Sequence, residues 1–112
     1  MSWILFHSGE TVGKRGSECG ITIRDEEYPG AARITLERKC QTSPFAITCG
    51  IYGWMMHTRF FTTEAEALAA YSAMQAALSS IISTIPLESD PEVDSKMRRV
   101  EHSIAAFLQE HP

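Results

Sequence analysis

Basic residues, cysteines and long apolar runs are all scarce in this sequence, and each scarcity excludes a class of protein. Ten Lys and Arg residues stand against 14 Asp and Glu residues, which gives a net charge of −4. Proteins that bind nucleic acid normally carry a basic stripe that displaces counterions from the phosphates, so we expect no nucleic-acid partner. The N-terminal stretch MSWILFHSGE has a short apolar run without a basic flank or a small-residue cleavage site, which predicts no secretory signal.

The three cysteines, Cys19, Cys40 and Cys49, are an odd number and form no C-x-x-C pair. Zinc sites built from cysteine normally use such closely spaced pairs, so we expect no metal and no cofactor. Free thiols persist in a reducing compartment, and the prediction is therefore a cytoplasmic protein.

Hydrophobic periodicity divides the chain into a strand-rich first part and a helical second part. A run of strands followed by a run of helices is typical of an α+β domain with an antiparallel sheet. We predict one domain over residues 1–112. Residues 1–61 would form an antiparallel sheet of four to five strands, built from two hairpins plus an N-terminal strand. Two C-terminal helices, 63–85 and 90–110, would pack on one face of it, and the strand order stays open.

The predicted strands are separated by glycine, proline and polar turns. They are Ser2–His7, Cys19–Asp25, Ala32–Lys39 and the two halves of a hairpin around Gly53, FAITCGIY and WMMHTRFF. Alternation within the second strand places Cys19, Ile21 and Ile23 on one face, as expected of a half-buried strand.

The first predicted helix has two different stripes on opposite faces. It begins with a capping box, TEAE, in which Thr63 and Glu66 can satisfy each other's backbone donors. The larger residues form one stripe, which we expect to cover the sheet: Ala67, Tyr71, Met74, Leu78, Ile81 and Ile85. A stripe of small residues, offset by about 200°, is named here the small-residue seam: Ala69, Ala73, Ala76, Ser80 and Ser83.

The small-residue seam needs a partner, because no charged residue occurs from Ala67 through Leu87. A membrane span is disfavoured, since this segment contains several serines, Gln75 and Pro86 and lacks basic flanks. Small residues permit close approach of another helix. Either the second helix covers the seam, or it lies beside the first helix and the seam meets its copy in a symmetric homodimer.

The segment GIYGWMMHTRFF, Gly50–Phe61, concentrates aromatic, methionine, histidine and arginine side chains. Successive side chains of a strand point to opposite faces. We expect the core face to hold Trp54, Met56, Thr58 and Phe60, and the outer face to hold Met55, His57, Arg59 and Phe61. Such a mixed outer face is typical of a contact site. The other interpretation is that the N-terminal strand or the chain end covers this face, with His57 hydrogen-bonded beneath it.

Motifs for catalysis are weak in this chain. Gly13 and Lys14 have the order of a phosphate-binding loop, but Gly9 is one residue too close and Arg15 replaces the Ser or Thr, so a mobile connection is expected instead. Cys49 lies in an apolar strand, where cysteine is usually an inert core residue. We therefore predict no catalytic residues.

The leading functional hypothesis is a small non-catalytic module for protein–protein interaction or homo-oligomerisation. Its expected partner is a second copy of itself, through the seam or the His57 face, and an unidentified protein partner is a further option. The competing hypothesis is a small-ligand-binding protein or small enzyme whose site uses Tyr52, His57 and Arg59. A ligand site predicts a concave pocket with converging polar groups, whereas an interaction module predicts an exposed apolar surface.

Overall fold

A five-stranded antiparallel sheet followed by two helices makes up the structure, a computed structural model that describes residues 2–112. The strands are β1 (Ile4–Leu5), β2 (Ile21–Tyr28), β3 (Ala32–Arg38), β4 (Phe45–Ile51) and β5 (Met55–Phe61), and the helices are α1 (Glu64–Ile82) and α2 (Val93–Glu110). The strands are ordered in the sheet as they are in the chain, each antiparallel to its neighbour. The α+β prediction, with both helices on one face of the sheet, is confirmed.

Glycines with positive φ close the two predicted hairpins. Gly30 has φ +74° between β2 and β3, and Gly53 has φ +80° between β4 and β5. In the second turn the Trp54 N–H donates to the Ile51 carbonyl at 2.9 Å. Residues with a Cβ rarely adopt this backbone conformation, so these glycines fix where each hairpin reverses.

The N-terminal strand is much shorter than predicted. Only Ile4–Leu5 pairs with β2, and Phe6–Gly9 then forms a tight 3-10 turn. His7 and Ser8 have φ of 45° and 56°, a left-handed conformation that cannot continue a strand. The sequence gives little warning of this turn, because neither residue favours positive φ as glycine does.

The alternation predicted for the second strand breaks down after Ile23, which packs against the core as expected, because β2 contains a bulge. Its register with β3 shifts between Thr22 and Arg24, and an inserted residue of this kind reverses the facing of the residues after it. Cys19 lies exposed outside the strand. Thr22 and Asp25 are the buried residues of β2.

Helix α1 covers the sheet with the stripe of large residues that the sequence predicts. The sheet-facing residues Ala67, Tyr71, Met74, Leu78 and Ile81 are all buried. At the start of the helix, the Glu66 N–H donates to the Thr63 hydroxyl at 3.3 Å, which is the N-cap half of the predicted capping box. The Glu66 carboxylate accepts from the Thr63 hydroxyl at 2.9 Å. The helix ends at Ile82, three residues before the predicted end.

Helix α2 lies beside α1 and closes the same core. Its buried residues are Val100, Ile104 and Phe107, which join the sheet-facing stripe of α1 and the inner residues of β3 and β4. It begins at Val93, after a turn in which the Asp90 carboxylate accepts the Glu92 N–H at 2.8 Å and pairs with Lys96 at 2.6 Å. The helix does not cover the small-residue seam, whose five residues are all exposed.

Candidate functional site

The facing predicted for β5 is reversed in the structure. His57 lies opposite Cys49 and Arg59 opposite Ile47, and both of these β4 residues are buried under the helices. Because directly opposite residues of an antiparallel pair share a face, His57 and Arg59 point toward the helix layer. Met56, predicted to lie in the core, is on the outer face and 81% exposed. Strand β5 has apolar residues on both faces, so its own sequence does not determine which face is buried. Its pairing with β4, whose inner face is apolar, determines it.

His57 and Arg59 hold the C-terminal end of the chain. The His57 Nε2–H donates to the His111 carbonyl, and Arg59 Nε donates to the Pro112 carbonyl at 3.1 Å. Arg59 Nη1 also donates to His111 Nδ1 at 3.3 Å, which requires the neutral form of that histidine. Burial, assisted by the charge of Arg59, lowers the pKa of His111 from 6.5 and favours this neutral form.

The three predicted ligand-binding residues therefore do not form one site. Tyr52 follows β4 and lies on the outer face, where its hydroxyl donates to Glu27 Oε2 at 2.7 Å. His57 and Arg59 lie on the other side of the sheet against the chain end.

The thiol beside His57 is not disposed for nucleophilic chemistry. Cys49 is buried, and burial raises its pKa to about 12, although the charge of Arg59 acts in the opposite direction. A protonated buried thiol is a poor nucleophile. Over residues 2–112, no three His, Cys, Asp or Glu side chains come together in a way that could hold a metal ion.

A concave surface occurs instead on the outer face of the sheet, and it is named here the outer groove. Its volume is about 560 Å³. The floor is formed by side chains and backbone of the central strands, including Thr35, Thr48 and Gly50, and the two walls are the loop Thr11–Ser17 and the β4–β5 turn with Tyr52 and Met56.

An ion pair at the base of the outer groove fixes its geometry. Arg33 donates from Nε to Asp25 Oδ1 at 2.9 Å and from Nη2 to Asp25 Oδ2 at 2.6 Å. The Thr11 hydroxyl donates to the same carboxylate at 2.7 Å. The Arg33 guanidinium lies 3.6 Å from the centroid of the Phe6 ring. The hydrogen bond to Asp25 raises the pKa of Arg33, so the guanidinium stays charged.

The loop wall of the groove is anchored by a second buried carboxylate. Glu37 is 1% exposed and accepts the backbone N–H groups of Glu18 and Gly20, both at 3.1 Å. A Cβ at Gly16 would collide with the Glu37 carboxylate. The glycine-rich loop, for which the sequence predicts a mobile connection, is therefore attached to the sheet by specific contacts.

Sequence reasoning named Tyr52 and missed Asp25, Arg33 and Thr11. These residues come together only because the bulge turns Asp25 to the outer face and the loop after Gly9 folds over it. The sequence offers one signal for this site. Asp25 and Arg33 have opposite charges and lie on the two strands of one predicted hairpin, so an ion pair between them could be expected.

Strand β5 leaves one full edge of the sheet open. It is the last strand in the sheet and pairs only with β4 in the described part of the chain. Its outer face carries Met56 and Phe60, which are 81% and 49% exposed. The other edge is protected differently, because β1 is only two residues long and the loop at Gly13 and Lys14 then hydrogen-bonds to Thr22 of β2.

Comparison with protein-family models, with curated proteins and with solved structures finds no match for this chain. Within residues 2–112, neither helix has the length and apolar character needed to cross a membrane.

Proposed function

We propose that this chain is a non-catalytic homo-oligomerisation module and that two copies associate through strand β5. The observation that carries the proposal is the open edge of β5, seven residues long, with Met56 and Phe60 exposed beside it. Alternate N–H and C=O groups of an edge strand point away from its neighbour, and another strand is their best partner.

Strand β5 lacks the features by which edges usually avoid such pairing. Soluble proteins commonly protect an edge strand with Lys, Pro, a bulge or a very short length. The sequence of β5, MMHTRFF, contains neither Lys nor Pro, and its register with β4 is regular. Its one arginine, Arg59, is held on the helix side by the chain end.

The sequence of β5 is also suited to pairing with a copy of itself. In an antiparallel pair centred on Thr58, Met56 would lie opposite the partner's Phe60, and Phe60 opposite the partner's Met56. Contact between a thioether and an aromatic ring is favourable by about 0.3–1.5 kcal/mol. A two-fold axis at Thr58 would form this contact twice and satisfy the symmetry of the commonest homodimers.

The cytoplasm is the compartment we propose for this module. The cysteines Cys19, Cys40 and Cys49 are all free thiols, and Cys19 is exposed, which suits a reducing environment.

Solution mass, measured by size-exclusion chromatography with light scattering at a low and a high protein concentration, tests the proposal. We expect a dimer for the native chain and a monomer for the double variant Met56→Lys, Phe60→Lys, because lysines there oppose edge pairing. The matched control is Leu68→Lys, Leu87→Lys, which places the same charges at exposed apolar positions outside β5 and should remain dimeric.

The outcomes separate β5 from the small-residue seam. A native chain that is monomeric at both concentrations, or a dimer that survives the β5 lysines, contradicts the proposal. If Ala76→Glu dissociates the dimer and the β5 variant does not, the seam is the interface. Thermal midpoints of all variants show whether any loss of assembly is a loss of folding.

A further inference from the structure

The outer groove carries an excess of positive charge on a chain that is negative overall. Three basic side chains line it, Lys14, Arg15 and Arg33, and one acidic side chain, Asp25. Two further carboxylates lie behind its walls and are already engaged, Glu27 by the Tyr52 hydroxyl and Glu37 by backbone N–H groups near the loop wall. The chain as a whole has a net charge of −4. A concave surface whose lining charge is mainly of one sign attracts ligands of the opposite sign.

Two of the three cations are free to contact a ligand, and the third is held in place. Lys14 and Arg15 are exposed and are absent from the ion pairs found within residues 2–112. Arg33 uses one N–H of Nε and one of Nη2 for Asp25, so the NH₂ group of Nη1 and the second N–H of Nη2 remain as donors. A guanidinium fixed by a buried carboxylate and an aromatic ring loses little further freedom when it binds.

The opposite wall of the groove offers apolar surface, because the Tyr52 hydroxyl is already engaged by Glu27, and this surface suits an uncharged part of the same ligand. Tyr52 and Met56 form this wall, and Thr48 contributes to the floor. Gly50 has no side chain, and a Cβ there would come within 3.3 Å of the Met56 side chain. The groove volume of about 560 Å³ lies in the usual range for small-molecule sites, roughly 300–1,000 Å³.

We propose that the outer groove binds a small organic anion. Its acidic group, a phosphate or a carboxylate, lies against Lys14, Arg15 and Nη1 of Arg33, and its apolar body lies against Tyr52 and Met56. This binding goes beyond the proposed self-association and does not depend on it. Because Met56 borders both surfaces, the binding test uses variants at Lys14 and Arg15 instead.

The test is an NMR titration of the full chain, labelled with ¹⁵N, using naphthyl phosphate as the probe. Three compounds serve as comparisons. Naphthoate carries a carboxylate on the same ring system, naphthol carries the ring system without an anionic group, and inorganic phosphate is the anion without the ring system. We expect naphthyl phosphate or naphthoate to give saturable shifts of amides in the loop Thr11–Ser17 and the turn at Gly50–Gly53. Whichever binds more tightly identifies the acidic group.

Charge variants establish whether the cations act as proposed. Lys14→Gln, Arg15→Gln removes the two free cations, and we expect roughly tenfold weaker binding, about a factor of three for each exposed charge contact. The control is Arg98→Gln, Arg99→Gln, which removes two exposed cations from α2 and should leave the affinity unchanged.

Four results would overturn the proposal. The first is the absence of saturable shifts in the groove with either anionic ring compound. The second is naphthol binding as tightly as those compounds, and the third is equal weakening by the groove and α2 variants. Inorganic phosphate binding as tightly as naphthyl phosphate would also overturn it, because the apolar wall would then contribute nothing.

Discussion

Replacing Asp25 by Asn should destabilise the fold substantially, although the two side chains have nearly the same shape. Asp25 is 1% exposed and accepts two hydrogen bonds from Arg33 and one from Thr11. Asn would lose the negative charge and place an NH₂ group against the N–H and O–H donors that surround the carboxylate. One of the two acceptor oxygens would be lost, and the new NH₂ group would face an N–H or O–H donor of Arg33 or Thr11.

The magnitude depends on the burial of the two partners. Removing one member of a buried ion pair costs about 3–5 kcal/mol, but the Arg33 side chain is 38% exposed and water can solvate part of its charge. We therefore expect a loss of about 2 kcal/mol in the free energy of unfolding. For a domain of this size the same loss lowers the Tm by about 10 °C.

Urea unfolding followed by tryptophan fluorescence measures this loss. Asp94→Asn makes the same chemical change at an exposed position on α2 and should cost less than about 0.5 kcal/mol. In a double-mutant cycle, Asp25→Asn and Arg33→Met together should cost clearly less than the sum of the two single changes. If Asp25→Asn is as stable as Asp94→Asn, or if the two costs simply add, the ion pair does not organise the groove.

Three further perturbations test other parts of the structure. Lowering the pH from 7 to 5 should loosen the chain end. The pKa of His111 is lowered below 6.5, so the stability that His111 contributes is present above pH 6.5 and is lost as the pH falls. The loss follows because protonation of the ring removes the acceptor for the Arg59 N–H. Amide exchange at the C-terminal residues measures this loosening. Gly16→Ala should cost about 1–3 kcal/mol by overpacking against Glu37, measured by urea unfolding. Ala76→Glu should change the stability of the monomer by less than about 0.5 kcal/mol because the seam is exposed, measured by thermal melting of the dilute protein.

Each of these predictions has a control and a contradicting result. His102 is exposed on α2, so His102→Gln should keep the pH effect and His111→Gln should reduce it; an unchanged effect in both would show that another group titrates. Ser17→Ala should cost less than Gly16→Ala, and equal costs would show that the loop shifts freely. Leu78 is buried, so Leu78→Glu should unfold the protein, and an equally large effect of Ala76→Glu would mean that the seam is covered.

The fold was largely predictable because its elements depend on local patterns. The alternation of β3 places Ile34 and Leu36 in the core, and the stripe from Ala67 to Ile81 defines the buried face of α1. Gly53 marks the second hairpin, since only glycine readily takes its positive φ. In each case the spacing of apolar residues, or a single residue type, is enough to determine the local structure.

The candidate site was much less predictable because it depends on residues that are distant in sequence. The sequence pattern groups Tyr52 with His57 and Arg59, but Tyr52 follows the buried Ile51 and lies on the outer face, opposite to His57 and Arg59. The outer groove requires a bulge in β2 and a loop anchored on Glu37. A bulge reverses alternation without a distinctive local signature, and a loop anchor depends on contacts 17 to 20 residues apart.

The sequence by itself therefore determined an α+β domain with two hairpins and two helices, since periodicity and turn chemistry act over a few residues. Only the tertiary structure decided that the chain end covers His57 and that α2 leaves the small-residue seam exposed. It also decided that Arg33 lies in a groove on the outer face of the sheet. The position of His57 depends on which of the two apolar faces of β5 the core takes, and burial against β4 and the helices settles that choice where alternation alone cannot. The groove depends instead on the bulge in β2 and on the loop anchored on Glu37, which form through contacts between residues distant in sequence.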